Sequence, residues 1–196
     1  MKVMQKIARS ILSEVDNLLR QKQQVLVAID GRSAAGKTTL AALLHESNGC
    51  NVIHMDSFFL RPEQRTARRL EEPGGNIDRE RFEEEVLTPL LRGEPFSYRP
   101  FDCKKQEMAP AIQVTPRPVT VVEGAYSCHP LLAPGYDLTV FLSIGKAEQS
   151  RRILDRNGEL GLVIFAQKWI PLEERYFAAY EIRKRCSLSF DTDAMC

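Results

Sequence analysis

The residues best suited to chemistry stand together in one octapeptide, Gly31-Arg32-Ser33-Ala34-Ala35-Gly36-Lys37-Thr38. Glycines at 31 and 36 let main-chain amides turn inward around anionic oxygens with no side chain in the way. Lys37 can reach the outer phosphates of a nucleotide, and Thr38 can present its hydroxyl to Mg²⁺. The run follows an apolar stretch, Val25 to Ile29, and opens a helical pattern, so the positive helix end faces the same anion. The alternative is a glycine-rich turn that only caps a helix. The first reading makes Gly31, Ser33, Ala34, Ala35, Gly36, Lys37, Thr38 and Thr39 the expected phosphate ligands, with ATP and Mg²⁺ as cofactors.

Two acids end later apolar runs. Val52-Ile53-His54-Met55-Asp56 places a carboxylate just past a strand, at the edge where open α/β sheets bind ligands. Moving a phosphoryl group onto an alcohol needs a base, or at least a carboxylate, to orient the attacking hydroxyl. Asp56 fits that role, or it caps the segment that begins at Ser57. Val119-Thr120-Val121-Val122-Glu123-Gly124 is a near-continuous apolar strand closed by an acid, the form of a Walker B position. Glu123 there can serve Mg²⁺ directly or through water, or merely bond to neighbouring backbone. Tyr126, just beyond, joins Asp56 among the expected acceptor contacts.

Arg151, Arg152 and Arg156 fall on a helical stretch, where Arg152 and Arg156 face each other as like charges. Salt bridges to Glu148 and Asp155 compete there with phosphate binding. Glycines at 158 and 161 suggest a hinged flap able to close over a nucleotide. Asp78 precedes a helix that starts at Arg79, so its default role is an N-cap.

These side chains need a scaffold that brings them together. Apolar runs at Val25 to Ile29, Asn51 to His54, Val119 to Val122, Leu138 to Leu142 and, more weakly, Ser187 to Phe190 predict five strands. Helical patterns at Lys37 to Ser47, Arg79 to Arg92, Ala147 to Arg156 and Leu172 to Lys184 lie between them, and an amphipathic helix carrying Met4, Ile7, Ile11, Val15, Leu18 and Leu19 precedes them. Alternation of strands that are apolar on both faces with helices predicts a parallel sheet covered on both sides. From Phe96 to Val114 the rhythm breaks, and prolines at 95, 100, 110 and 116 punctuate two short strands turning near Lys104 to Gln106.

The chain has 196 residues, enough for one well-filled domain rather than two. Lys plus Arg total 27 against 26 Asp plus Glu, so no global basic field points to nucleic acid. Charges interrupt the opening 24 residues, which predicts neither signal peptide nor membrane span and hence a cytoplasmic location. Five cysteines, at 50, 103, 128, 186 and 196, show no Cys-x-x-Cys spacing and are read as reduced thiols.

Taken in order, the phosphate loop, His54-Met55-Asp56-Ser57-Phe58-Phe59, Asn76-Ile77-Asp78, Tyr98-Arg99-Pro100-Phe101-Asp102, Val122-Glu123-Gly124 and Arg151-Arg152 resemble the uridine kinase branch of the phosphoribulokinase and uridine kinase family. The resemblance implies an α/β P-loop NTPase three-layer fold: a mainly parallel five-stranded sheet, a small antiparallel hairpin insertion over 95–116 and a helical lid over 151–169. It implies Asp56 as the base for an acceptor hydroxyl, ordinarily of a nucleoside, Asp78 as a ribose contact, Phe101 and Asp102 as acceptor contacts, and Arg151 and Arg152 as lid arginines on phosphate. Phe101 stands where these kinases usually carry tyrosine, and the apolar lid also departs from their charged one. The expected partner is a small-molecule phosphoryl acceptor, with no nucleic acid or membrane, and homo-oligomerisation stays open. A nucleotide-dependent regulator and a nucleoside monophosphate kinase using Arg61, Arg65, Arg68 and Arg69 are the alternatives.

Overall fold

The computed structural model describes residues 2–193, so Cys196 lies outside the described residues. In chain order the main elements are α1 (Lys2–Leu19), β1 (Val25–Gly31), α2 (Lys37–Asn48), β2 (Asn51–His54), α3 (Ala67–Glu71), α4 (Arg79–Phe82) and α5 (Thr88–Arg92). There follow β3 (Phe96–Tyr98), β4 (Phe101–Asp102), β5 (Glu107–Met108), β6 (Ile112–Val114), β7 (Val119–Glu123), β8 (Leu138–Ser143), α6 (Lys146–Ile164), α7 (Ile170–Tyr180), α8 (Ile182–Arg185) and β9 (Leu188–Asp191).

Five strands form one parallel sheet in the order β2-β7-β1-β8-β9. The pleat sends alternate side chains of β1 to opposite faces. Val25, Val27 and Ile29 join a core closed by Ile7, Ile11 and Val15 of α1 and Leu40 and Leu44 of α2. Leu26 and Ala28 join the other core, with Phe58, Phe82, Val86, Tyr126 and Tyr176. Because β1 is central and buried throughout, its carboxyl end, and with it the phosphate loop, is fixed from both layers.

The structure corrects three expectations. The insertion holds four short strands, not two: β3 pairs with β6 and, nearer the tip, β4 with β5. Pro100 and Pro110 sit between these ladders, where their missing N–H groups interrupt pairing. The helix expected over Arg79 to Arg92 contains a π segment, Glu83–Leu87, and a second, Phe165–Trp169, joins α6 to α7. Each ends just before an element with proline in its first turn, Pro89 or Pro171. A proline ring rejects the carbonyl four residues back, and the wider turn accommodates it. The helix expected over Leu172 to Lys184 breaks at Glu181, whose φ is 49°. Among the described residues no helix is long and apolar enough to cross a membrane. Cys50, Cys103, Cys128 and Cys186 are free thiols.

His129, after β7, is 2% exposed, stacked on Tyr176 and edge-on to Tyr180. Burial, aided by Arg79 and Arg69, holds its imidazole down to about 4 from 6.5. Stability from keeping it neutral is therefore complete above pH 6.5 and lost as pH falls toward 4. The unfolding free energy should drop by up to about 1.4 kcal/mol per pH unit in that window. Urea unfolding of wild type and His129→Asn at both ends of the window checks this: the variant should lose less on acidification, and an equal loss removes His129 as the cause.

Candidate active site

The loop after β1 bends because three of its residues have positive φ: Gly31 at 137°, Ala34 at 61° and Gly36 at 92°. Of the amides along this bend, Gly31 N donates to Asp30, Arg32 N to Leu142 O, Ser33 N to Glu173 and Ala35 N to Arg32 O, which leaves the amides at the start of α2 to face an anion. Lys37 Nζ donates to the carbonyls of Gly31 (2.8 Å) and Arg32 (2.9 Å), which folds its side chain back over the loop. Two α6 side chains brace the outside: Gln149 Nε2 donates to Ser33 O at 3.0 Å and Arg152 Nη1 to Ala34 O at 3.2 Å.

Thr38, the first-turn hydroxyl of α2, lies 3.2 and 3.3 Å from the two carboxylate oxygens of Glu123 at the end of β7. Parallel pairing of β2 with β7 sets His54 opposite Glu123, and their side chains meet at 2.6 Å. The hydrogen bond to Glu123 is the main reason the His54 imidazole is raised above its ordinary value. His54 therefore completes a Thr38–Glu123–His54 row that strand periodicity alone does not announce. Among the described residues no three His, Cys, Asp or Glu side chains gather as metal ligands. The donor set fits a divalent ion that takes one or two protein oxygens and completes its shell with phosphate and water.

Asp56 lies in the single 3₁₀ turn Met55–Phe58, and its carboxylate makes no hydrogen bond among the described residues. It is not the cap of that turn. Restricted solvation raises its carboxyl, opposed first by Lys37, with Glu123, His54 and Arg156 also within its field. The approach depends on Gly124: a Cβ there would stand 2.9 Å from Met55 Cβ and 3.5 Å from Asp56 Oδ1, at a φ of 140°.

A cleft of about 1530 Å³ joins these groups, with Ser33, Ala34, Gly36, Lys37, Thr38, Thr39 and Arg152 on the loop side. Gly31 and Ala35 are buried behind the loop and do not line it. Asp56, Glu123 and Tyr126 line it too, and beyond them Phe59, Asn76, Cys103, Lys104 and Trp169 form the other end. There Phe59 meets Trp169 of the lid at 5.9 Å. The Tyr126 hydroxyl and Asn76 Nδ2 are buried near each other without a well-formed hydrogen bond, which leaves room for a ligand that brings polar atoms.

Besides Gly31 and Ala35, four more expected contacts lie elsewhere. Asp78 is buried as the N-cap of α4, accepting from Arg81 N (3.3 Å) and from Gln64 Nε2 (2.8 Å). Phe101 is buried beneath Arg65, and Asp102 caps its own turn by accepting from the amides of Lys104 and Lys105. Arg151 pairs with Glu148 and Asp155 outside the cleft. Of the four arginines that kept a monophosphate kinase open, only Arg65 lines the cleft, and Arg69 is held by Glu80 at 2.6 Å.

Asp30 is fully buried, and neither its type nor its place near the end of a strand marked it as functional. Its carboxylate accepts from the amides of Gly31 (2.7 Å), Tyr126 (3.1 Å) and Cys128 (2.9 Å) and from the Tyr176 hydroxyl (2.9 Å). Burial raises this carboxyl, while the Cys128 and Gly31 amides oppose the rise.

The sheet order, the loop after its central strand and the acid at the end of β7 define a P-loop fold of the three-layer kinase type. No protein-family model matches the chain. Among solved structures it is similar to a possible uridine kinase from Bacillus stearothermophilus, with a TM-score of 0.66 at 20% identity, covering 93% of this chain and 100% of that one. It is also similar to D-glycerate 3-kinase from Cryptococcus neoformans var. grubii, with a TM-score of 0.61 at 15% identity, covering 96% and 94%. At such identities the likeness establishes the shared fold.

Asp30→Asn puts an NH₂ group where two donors now find an oxygen, and should cost about 3 kcal/mol of stability. Urea denaturation measures it, and a loss below about 0.5 kcal/mol would show that the four hydrogen bonds do not organise the site.

Proposed function

We propose that the protein is an ATP- and Mg²⁺-dependent phosphotransferase acting on a hydroxyl of a small acceptor, a nucleoside or similar polyol, in the manner of the uridine kinase branch. The observation that carries this reading is the unpaired Asp56 carboxylate, which shares one cleft with Lys37 and with the Thr38–Glu123 pair. A protein that only bound or hydrolysed nucleotide would have no use for a second, partly apolar compartment with a free carboxylate at its mouth.

Each residue then has a bounded task. The loop amides and Lys37 bind the donor phosphates and neutralise charge that develops on them. Thr38 and Glu123 would hold Mg²⁺, which supplies further charge neutralisation when bound. Asp56 accepts the proton of the acceptor hydroxyl as its oxygen bonds to phosphorus and the bond to the departing diphosphate breaks. Its raised carboxyl makes it a better proton acceptor than an ordinary aspartate. Arg152 lines the donor side and keeps the loop in shape through Ala34 O. Phe59, Asn76, Tyr126 and Trp169 would enclose the acceptor and exclude water.

With ATP, Mg²⁺ and a panel of nucleosides, sugars and short polyols, at least one acceptor should gain the mass of a phosphoryl group. Hydrolysis that no acceptor stimulates would overturn the proposal. With the acceptor so found, Asp56→Asn should lower kcat by about 10²-fold or more and leave ATP affinity within a few fold. Unchanged turnover would remove Asp56 from the mechanism.

A further inference from the structure

The cup of the phosphate loop already holds a carboxyl group, supplied by the protein's own lid-proximal helix. Glu173, in the first turn of α7, is 5% exposed. Its Oε1 accepts from Ser33 Oγ at 2.5 Å and its Oε2 from Ser33 N at 2.9 Å. A main-chain amide and a hydroxyl in the bend of this loop are the donors a phosphate oxygen would use. Neighbouring side chains hold the helix over the loop. Glu174 pairs with Arg32 at 2.7 Å, and Tyr176 donates to Asp30.

The seat can be placed within the cleft. Lys37 acts on Glu173 as the principal opposing charge, and it acts on Asp56 in the same way. Ser33, Lys37, Asp56 and Glu173 all line the same cleft, so the Ser33 seat opens into the space where a transferred phosphoryl group would stand. Two anions cannot share two donors: a phosphate oxygen at Ser33 would meet a carboxylate within hydrogen-bond distance of the same atoms, in a poorly solvated cleft that screens repulsion weakly. Phosphate binding there requires Glu173 to withdraw. A withdrawal that displaces α7 carries with it the π segment Phe165–Trp169 that joins α7 to the lid.

We propose that Glu173 is a nucleotide-selectivity residue: it occupies the terminal-phosphate seat at Ser33, yields to a triphosphate and returns when only the diphosphate remains. The proposal rests on the reading of the loop as the ATP site. It gives the lid a cause for movement, because the group that leaves the seat stands four residues beyond Trp169 on the same helical run. It also favours product release, since the seat refills from within the protein once the terminal phosphate has gone.

The chain has a single tryptophan, Trp169, packed on Phe59, so its emission reports the position of this run. Wild type, Glu173→Gln and Glu173→Ala are titrated with Mg²⁺ and either ATP or ADP, by calorimetry for affinity and by Trp169 emission for movement. Both variants should bind ATP about tenfold more tightly than wild type or better, with a smaller gain for ADP. ATP should shift the wild-type emission and ADP should not. Equal or weaker ATP binding by both variants, with thermal melts showing them folded, would overturn the role of Glu173 and leave the phosphate loop standing. Absence of ATP binding by all three proteins would overturn the loop reading itself, and the proposal with it.

Discussion

The carboxylate of Asp30 accepts hydrogen bonds from Gly31, Tyr126, Cys128 and Tyr176, and in doing so ties together the start of the phosphate loop, the turn after β7 and helix α7. An ion this deeply buried is costly unless its lone pairs are filled, and four donors fill them. Holding the Tyr126 amide against Asp30 places Tyr126 at a φ of 73°, a conformation that a bulky residue adopts only under constraint. That constraint puts the tyrosine at the wall of the cleft. The loop, the Tyr126 wall of the cleft and the helix that carries Glu173 are thus positioned by one group that does not itself line the cleft.

The charges of the cleft are arranged around Lys37. Asp30, Asp56 and Glu173 all lie in its field, and each has its carboxyl raised chiefly by burial or restricted solvation. The three differ in what surrounds them. Asp30 is saturated with donors, Glu173 is held by two donors of the loop, and Asp56 is held by none. Only the last has all its lone pairs open to a proton from outside the protein. The arginines divide in a similar way. Arg32 and Arg151 are committed to carboxylates, whereas Arg152 reaches from Glu148 to the carbonyl of Ala34 and so links the lid helix to the loop.

Helix α6 and α7 form one long, interrupted rod across the cleft. Gly158, at a φ of 72° with nothing within 4 Å of its missing side chain, kinks the first part, and the π turn before Pro171 distorts the second. Between them Leu160, Val163 and Ile164 are exposed. Both irregularities weaken the rod where it crosses the cleft, while Gln149 at one end and Glu173 and Tyr176 at the other remain anchored to the loop and to Asp30.

Much of this was legible in the residues themselves. The unbroken apolar run Val25 to Ile29 and the glycine-lysine spacing after it point to a buried strand running into an anion cup, and all five strands lie where apolar runs placed them. Those signals are local, set by backbone sterics and by the period of side-chain burial, so the chain states them without help from distant partners. What the sequence could not decide was which of several similar side chains would face the cleft. Asp56 and Asp78 both stand at helical turns, yet Gln64 and Arg81 close over the second and leave the first open. Arg151 and Arg152 are adjacent, but a rotation of about 100° along the helix sends one to solvent and the other to the loop. Asp30 and Glu173 carried no motif, because their roles arise only when α7 folds back onto β1 across some 140 residues of chain, as the 140-residue separation of Ser33 and Glu173 shows. The chemistry available was written in the sequence, and its assignment to particular atoms waited on packing, since burial and hydrogen-bond partners belong to contacts between segments far apart in the chain.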